Sequence, residues 1–200
     1  SAAVSPLEKH VYVTNLKGKK PSKLSDKPGH NEASFSDTFE YFINYHSDAN
    51  TPYYITLQNK KGKLIRVLKD NADLNAKLKN YNLSKKEFFT FQNSGGTTLN
   101  GWMIKPPSFD PSKKYPVYVA IYGGPGSNTV ENNWGGRNYF WHQLLAQKGY
   151  IVTSVDPRGT MYRGRDFEHS TYLQLGKLET EDFIDFAKYL GTQTYIDKDR

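Results

Sequence analysis

The sequence predicts a chain in two parts, an all-β segment followed by an α/β layer. Three observations predict it. Up to about residue 86, short runs rich in β-branched and aromatic residues recur between turns. Beyond that point, strand-like and helical periods alternate, the pattern of an α/β layer. Within the second part stands "YPVYVAIY" (115–122), apolar almost throughout, which runs directly into "YGGPGS" (122–127). A run without polar alternation fits a strand buried on both faces, as in a parallel sheet.

The first part, residues 1–86, offers four strands: "HVYVTNL" (10–16), "YFINYHS" (41–47), "PYYITLQ" (52–58) and "LIRVLKD" (64–70). Four antiparallel strands in about 45 to 60 residues make one propeller blade or part of a sandwich. A lone blade has two faces and only its own strands to cover them, so this part is expected to be incomplete by itself. "NADLNAKLKNYNLSKKEFF" (71–89) reads as a polar connector with a weak helical period. The second part, residues 87–200, opens with a strand, a glycine turn, a second strand and a Pro-rich loop. After the 115–122 run, "NYFWHQLLAQKGY" (138–150) places Phe140, Leu144 and Leu145 at helical spacing, with Gly149 as its C-cap. "YIVTSVD" (150–156) is a further strand. "ETEDFIDFAKYLGTQTY" (179–195) puts Phe183, Phe186, Ala187 and Leu190 on one helical face, with acids in the first turn where the helix dipole favours them.

Composition narrows the function classes. The chain of 200 residues is 36% hydrophobic and 14% aromatic, enough for a packed core rather than a disordered chain. No stretch approaches the roughly 18 apolar residues of a membrane span, and "SAAVSPLEKH" lacks the basic and apolar regions of a signal peptide. Absence of an initiator Met leads to the expectation of processing, or of a longer parent. Lys and Arg exceed Asp and Glu by 27 to 20. The excess lies in turn-like "KGKK" (17–20) and "NKKGK" (59–63), where solvated charge is ordinary, so no nucleic-acid partner is expected. With no cysteine, disulfide and thiolate chemistry are excluded.

"YGGPGS" invites a phosphate-binding reading, because backbone N–H groups at a helix start hold anions. A P-loop requires Lys and Ser or Thr after the glycines, yet Ser127 and Asn128 follow here. A dinucleotide fingerprint requires the helix to open at once, whereas Pro125 interrupts the turn and the helix starts about ten residues later. The same position in α/β-hydrolases builds half of an oxyanion hole. "DPRG" (156–159) sits after the next strand, on the rim where α/β folds place their sites. Asp156 and Arg158 read either as a buried ion pair shaping that site or as loop packing, the latter favoured. Asp156 is not taken as a triad carboxylate, which follows the nucleophile in this fold.

These residues also carry a family resemblance. "KKYPVYVAIYGGPGSNTVENNW", "KGYIVTSVDPRGTMYRGRDF" and "LGKLETEDFIDFAKYLGTQTYIDKDR" resemble the prolyl oligopeptidase family of serine peptidases, nearest to its dipeptidyl peptidase IV branch of bacterial type. "SPLEKHVYVTNL", "SFSDTFEYFINYHSDANTPYYITL" and "LNGWMIKPP" resemble the last propeller blade and the entry to the catalytic domain. The resemblance covers essentially the whole chain. It implies the N-terminal half of an α/β-hydrolase sheet preceded by a blade, in an enzyme that removes N-terminal dipeptides with Pro or Ala second. It further implies a peptide substrate, no cofactor, a secreted or periplasmic location, and an oligomeric parent.

Carried over by position, Tyr122 matches the tyrosine whose hydroxyl serves as an oxyanion donor. Phenols ionise near pH ~10, so such a group keeps its proton and can donate to a forming alkoxide. The alternative is a strand-end aromatic that closes the core. Gly123, Gly124 and Gly126 would serve the turn and let the chain pass close to substrate.

The departures matter as much. No G-x-S-x-G occurs, since Ser94 lies in "QNSGG" and Ser127 in "GPGSN". The triad is therefore expected beyond Arg200, the amine-anchoring glutamates before Ser1, and the fragment alone is expected to be inactive. His10, His30, His46, His142 and His169 show no pairing with a serine and no H-E-x-x-H, so each is expected to be structural or solvated. His30 and Glu32 of "GHNE" are two ligands without a third, and no metal is expected. Competing readings are another prolyl oligopeptidase family peptidase, an acylaminoacyl peptidase, a non-catalytic interaction module and a nucleotide-binding domain. A blade without neighbours and a sheet without later strands should expose edges and self-associate.

Overall fold

In a computed structural model of the protein, residues 2–18, 20–135 and 138–199 are described. They form two compact units, Ser1–Tyr81 with Glu131–Gly136, and Asn82–Val130 with Arg137–Arg200.

The first unit is built on a four-stranded antiparallel meander of β3 (His30–Phe35), β4 (Tyr41–Asp48), β5 (Thr51–Asn59) and β6 (Leu64–Lys69), in that order. Three of these are strands the sequence predicts. The fourth differs. "HVYVTNL" contributes only β1 (Tyr12–Val13), which pairs with β2 (Ser22–Lys23) in a separate ribbon. The turn that closes Gly18 N–H onto the Asn15 carbonyl ends the run early. Its place in the sheet is taken by "HNEASF", where Asn and Glu weaken the β signal but pairing with β4 supplies the backbone bonds. Phe35 and Phe42 on those strands pack ring to ring at 5.0 Å, and Val11 and Leu24 complete a small core over Phe42. β6 is exposed along its whole length.

The polar connector contains a short helix, α1 (Ala72–Leu78). The second unit then holds β7 (Lys86–Gln92), β8 (Thr98–Ile104), β9 (Val117–Val119), α2 (Tyr139–Gln147), β10 (Ile151–Val155), α3 (Arg165–Glu168) and α4 (Lys177–Thr192). The sheet order is β7-β8-β10-β9, antiparallel except for the β10/β9 pair, which is parallel. α2 is the crossover between those two parallel strands, and all five residues of β10 are buried. α4 lays Phe186 and Leu190 on Leu99, Met103, Ile151 and Val155. The opposite face carries Trp102, whose ring lies 5.3 Å from that of His142 on α2.

Two expectations change here. The apolar run is strand for only Val117–Val119, with Tyr118 39% exposed, because β9 is the edge strand of the described sheet and β10 its sole partner there. On α2 the predicted helix and its C-cap are present, with Gly149 at φ 91 and its N–H bonded to the Ala146 carbonyl. The inward face is rotated, however. Tyr139, Gln143 and Ala146 are buried while Phe140 and Leu144 are exposed. Gln143 sets this rotation by a pair of 2.9 Å bonds, its Oε1 accepting from Ser84 N–H and its Nε2 donating to the Ser84 carbonyl. A buried amide satisfied on both sides competes well with leucine for an inward position. The same pair ties Asn82–Lys85 to the second unit.

Candidate functional site

The loop after β9 and the loop after β10 leave the sheet at the same, carboxyl-terminal, end of two parallel strands. Helix N-termini and loops converge at such a rim, where α/β folds bind ligands. Tyr122 lies three residues past β9 and is 58% exposed, so it does not close the core of this unit. Gly123 and Gly126 take φ of 73° and 78°, the left-handed region that favours glycine. Gly124 instead lies beside the Tyr122 ring, where a Cβ would sit 3.5 Å from Cε1.

The far end of the loop is held tightly. Asp156, 6% exposed, accepts from Thr129 N–H at 2.7 Å, Thr129 Oγ1 at 2.9 Å and Val130 N–H at 3.0 Å. The Trp102 indole donates to the Thr129 carbonyl at 3.0 Å, and Met161 N–H to the Ser127 carbonyl at 3.3 Å. Asp156 thus packs and anchors the Tyr122 loop. Arg158 has a different partner. Its backbone N–H reaches Asp182 Oδ2 at 2.7 Å, its Nε reaches both Asp182 oxygens and its Nη2 reaches Oδ1 at 3.0 Å. These charge-assisted bonds raise the guanidinium further above its ordinary value. Asp182, on α4 and fully buried, also accepts from Asn93 Nδ2 at 2.7 Å. The buried ion pair read at "DPRG" therefore exists, but its carboxylate is Asp182 rather than Asp156.

One turn further along α4, Asp185 Oδ2 accepts from Ser94 N–H at 2.8 Å and from Ser94 Oγ at 2.6 Å. These two bonds hold its carboxyl down at about 2. A depressed carboxyl stabilises the fold above the unfolded value near ~4 and loses that contribution as the pH falls toward 2. Ser94→Ala should therefore lower the urea midpoint at pH 6, and the gap from wild type should narrow at pH 3. An equal gap at both pH values would show that the carboxylate is not involved.

The histidines divide. His10, 3% exposed, places Nδ1 3.0 Å from Ser25 Oγ and Nε2 3.1 Å from Glu8 Oε2, so one histidine does pair with a serine, against the sequence expectation. Ser25 is 1% exposed and its oxygen already accepts from Val11 N–H, so this array is packing and not a nucleophile. Burial and Lys86 lower His142, and burial followed by nearby lysines lowers His30 and His46. No cluster of three metal-ligating residues occurs among the described residues.

A cavity of about 560 Å³ opens beside the loop at Pro125, walled by Thr171, Tyr172, Leu173 and Leu175. Leu173 holds a φ of 58°, uncommon for a leucine. Sequence reasoning missed this cavity, because "STYLQL" carries no clear period.

The model of the prolyl oligopeptidase family matches residues 138–200, and that of the dipeptidyl peptidase IV N-terminal region matches residues 1–53. The chain belongs to the prolyl oligopeptidase family. The order β7-β8-β10-β9 is accordingly the start of the family's catalytic sheet, and the meander a blade of the region before it. Among solved structures, dipeptidyl peptidase 4 of Porphyromonas gingivalis superposes with a TM-score of 0.91 at 40% identity, over 98% of this chain and 28% of that one. A putative dipeptidyl aminopeptidase IV from Bacteroides ovatus gives 0.80 at 29% identity, over 93% and 26%. Dipeptidyl peptidase 8 of Mus musculus is 32% identical over 98% of this chain and 23% of its own length. The chain thus spans about a quarter of the relatives it matches. No helix among the described residues is long and apolar enough to cross a membrane.

Proposed function

We propose that this chain supplies the last propeller blade and the first part of the catalytic domain of a serine exopeptidase that releases N-terminal Xaa-Pro or Xaa-Ala dipeptides. Within it, Tyr122 donates its phenolic hydrogen to the tetrahedral oxyanion, and a serine, an aspartate and a histidine from sequence after Arg200 perform the acyl transfer. The observation that carries the reading is the exposed Tyr122 on a loop at the end of two parallel strands, anchored at its far end by Asp156 and Met161. A preorganised donor of this kind acts where charge appears and requires little reorganisation during reaction. Relatives named as dipeptidyl peptidases favour an exopeptidase over a nucleotide-binding or purely docking role.

The test is hydrolysis by the full-length protein. Gly-Pro and Ala-Ala chromogenic substrates should be cleaved and their N-acylated forms spared. Cleavage of the acylated forms alone would replace this reading with an acylaminoacyl or endopeptidase activity.

The same reading gives a secreted or periplasmic enzyme and an oligomeric parent. By itself the 200-residue chain should self-associate through exposed apolar side chains such as Phe140, Trp141 and Leu144 and through the open edges at β6 and β9. A clean monomer by size-exclusion chromatography with light scattering at micromolar concentration would contradict this.

A further inference from the structure

We propose that Phe183, on helix α4, is the residue that positions the Tyr122 phenol, acting through Gly123. The inference rests on the oxyanion role of Tyr122 and adds to it the element that sets its place.

Tyr122 has no hydrogen bond or ring contact among the described residues that could fix it, so its placement follows from the backbone beneath it. That backbone rests on α4. A Cβ at Gly123 would sit 3.0 Å from Phe183 Cε2 and 3.4 Å from Cζ, so the ring packs directly against the glycine α-carbon. The φ of 73° at Gly123 turns the chain over this ring immediately after the tyrosine. Phe183 is itself held on both sides along the helix. Asp182 before it binds Arg158 and Asn93, and Asp185 after it binds Ser94. Phe186, one turn on, is 1% exposed in the core. A helix pinned by two carboxylates and a buried ring cannot roll, and the Phe183 ring becomes a fixed floor for the loop. Asp156 fixes the loop at Thr129 and Val130, seven and eight residues beyond Tyr122, too far to set the phenol by itself.

Misplacement of a reacting-site group by about 1 Å can cost on the order of 100-fold in rate. Phe183→Ala in the full-length enzyme should lower kcat about 10- to 100-fold with KM little changed. Phe183→Leu, which keeps most of the volume, should recover most of the loss. The deciding measurement is the cycle with Tyr122→Phe. Once the phenol is gone, its position no longer matters, so Phe183→Ala should change kcat less than about twofold in that background. An equal loss in both backgrounds would overturn the inference while leaving the role of Tyr122 intact. No effect of Tyr122→Phe alone would overturn both. Should Phe183→Ala fail to fold, Phe183→Leu run through the same cycle gives a smaller loss that must also vanish in the Tyr122→Phe background.

Discussion

Tyr122→Phe in the full-length enzyme is expected to lower kcat about 100- to 1000-fold, the usual consequence of losing one oxyanion donor. The change removes one oxygen from a residue that is 58% exposed and has no hydrogen-bond partner among the described residues. Nothing in the core or in the loop's anchorage is disturbed, so thermal stability should move by less than about 0.5 kcal/mol. Substrate binding should also hold, since the donor acts on charge that develops only in the transition state. A fall in kcat with KM and melting temperature preserved separates this role from a structural one. Unchanged turnover would remove Tyr122 from the mechanism.

The second large effect is on stability. Asp182→Ala should destabilise the catalytic unit by about 3 to 5 kcal/mol, the range for removing one partner of a buried ion pair. Asp182 is fully buried and accepts from Arg158 N–H, the Arg158 guanidinium and Asn93 Nδ2; its removal leaves the guanidinium only the exposed Glu181, and leaves Asn93 Nδ2 and Arg158 N–H with no other acceptor among the described residues. Asn93 is 5% exposed and would keep an unsatisfied amide. Asp182→Asn retains a carbonyl acceptor and should cost less. By contrast, Glu181→Ala should be nearly silent, because Glu181 is half exposed and adds only one exposed contact to Arg158. Urea denaturation of the three variants checks the ranking, and equal midpoints for Asp182→Ala and Glu181→Ala would contradict it.

The parts of this fold legible in the sequence are those fixed by local pattern. The β4 to β6 meander follows from aromatic and β-branched runs, and α2 and α4 follow from their periods and the glycine that ends α2. The turn behind Tyr122 was legible because three glycines and a proline follow the apolar strand directly, and Gly123 and Gly126 do take the left-handed φ that such a turn needs. What was hidden depends on partners distant in sequence. Asp182 read as a first-turn acid in water, yet it meets Asn93 across 89 residues and Arg158 across 24. A signal existed. Asp182 stands four residues before Phe186 and eight before Leu190, which places it on the buried stripe of the helix. The rotation of α2 was not legible, because an inward Gln143 makes sense only when Ser84 is seen to bond both ends of its amide. Nor was β3, whose Asn31 and Glu32 argue against a strand until β4 pairs with them.

The oxyanion role of Tyr122 is tested most directly by comparing a transition-state mimic with a ground-state ligand. An aminoacyl-prolyl boronate forms a tetrahedral serine adduct with an oxygen in the oxyanion position, while the product dipeptide does not. Inhibition constants for both should be measured on the wild type and on Tyr122→Phe. Binding of the boronate should weaken about 100-fold or more in Tyr122→Phe while that of the dipeptide is unchanged. Equal affinity of both enzymes for the boronate would contradict it.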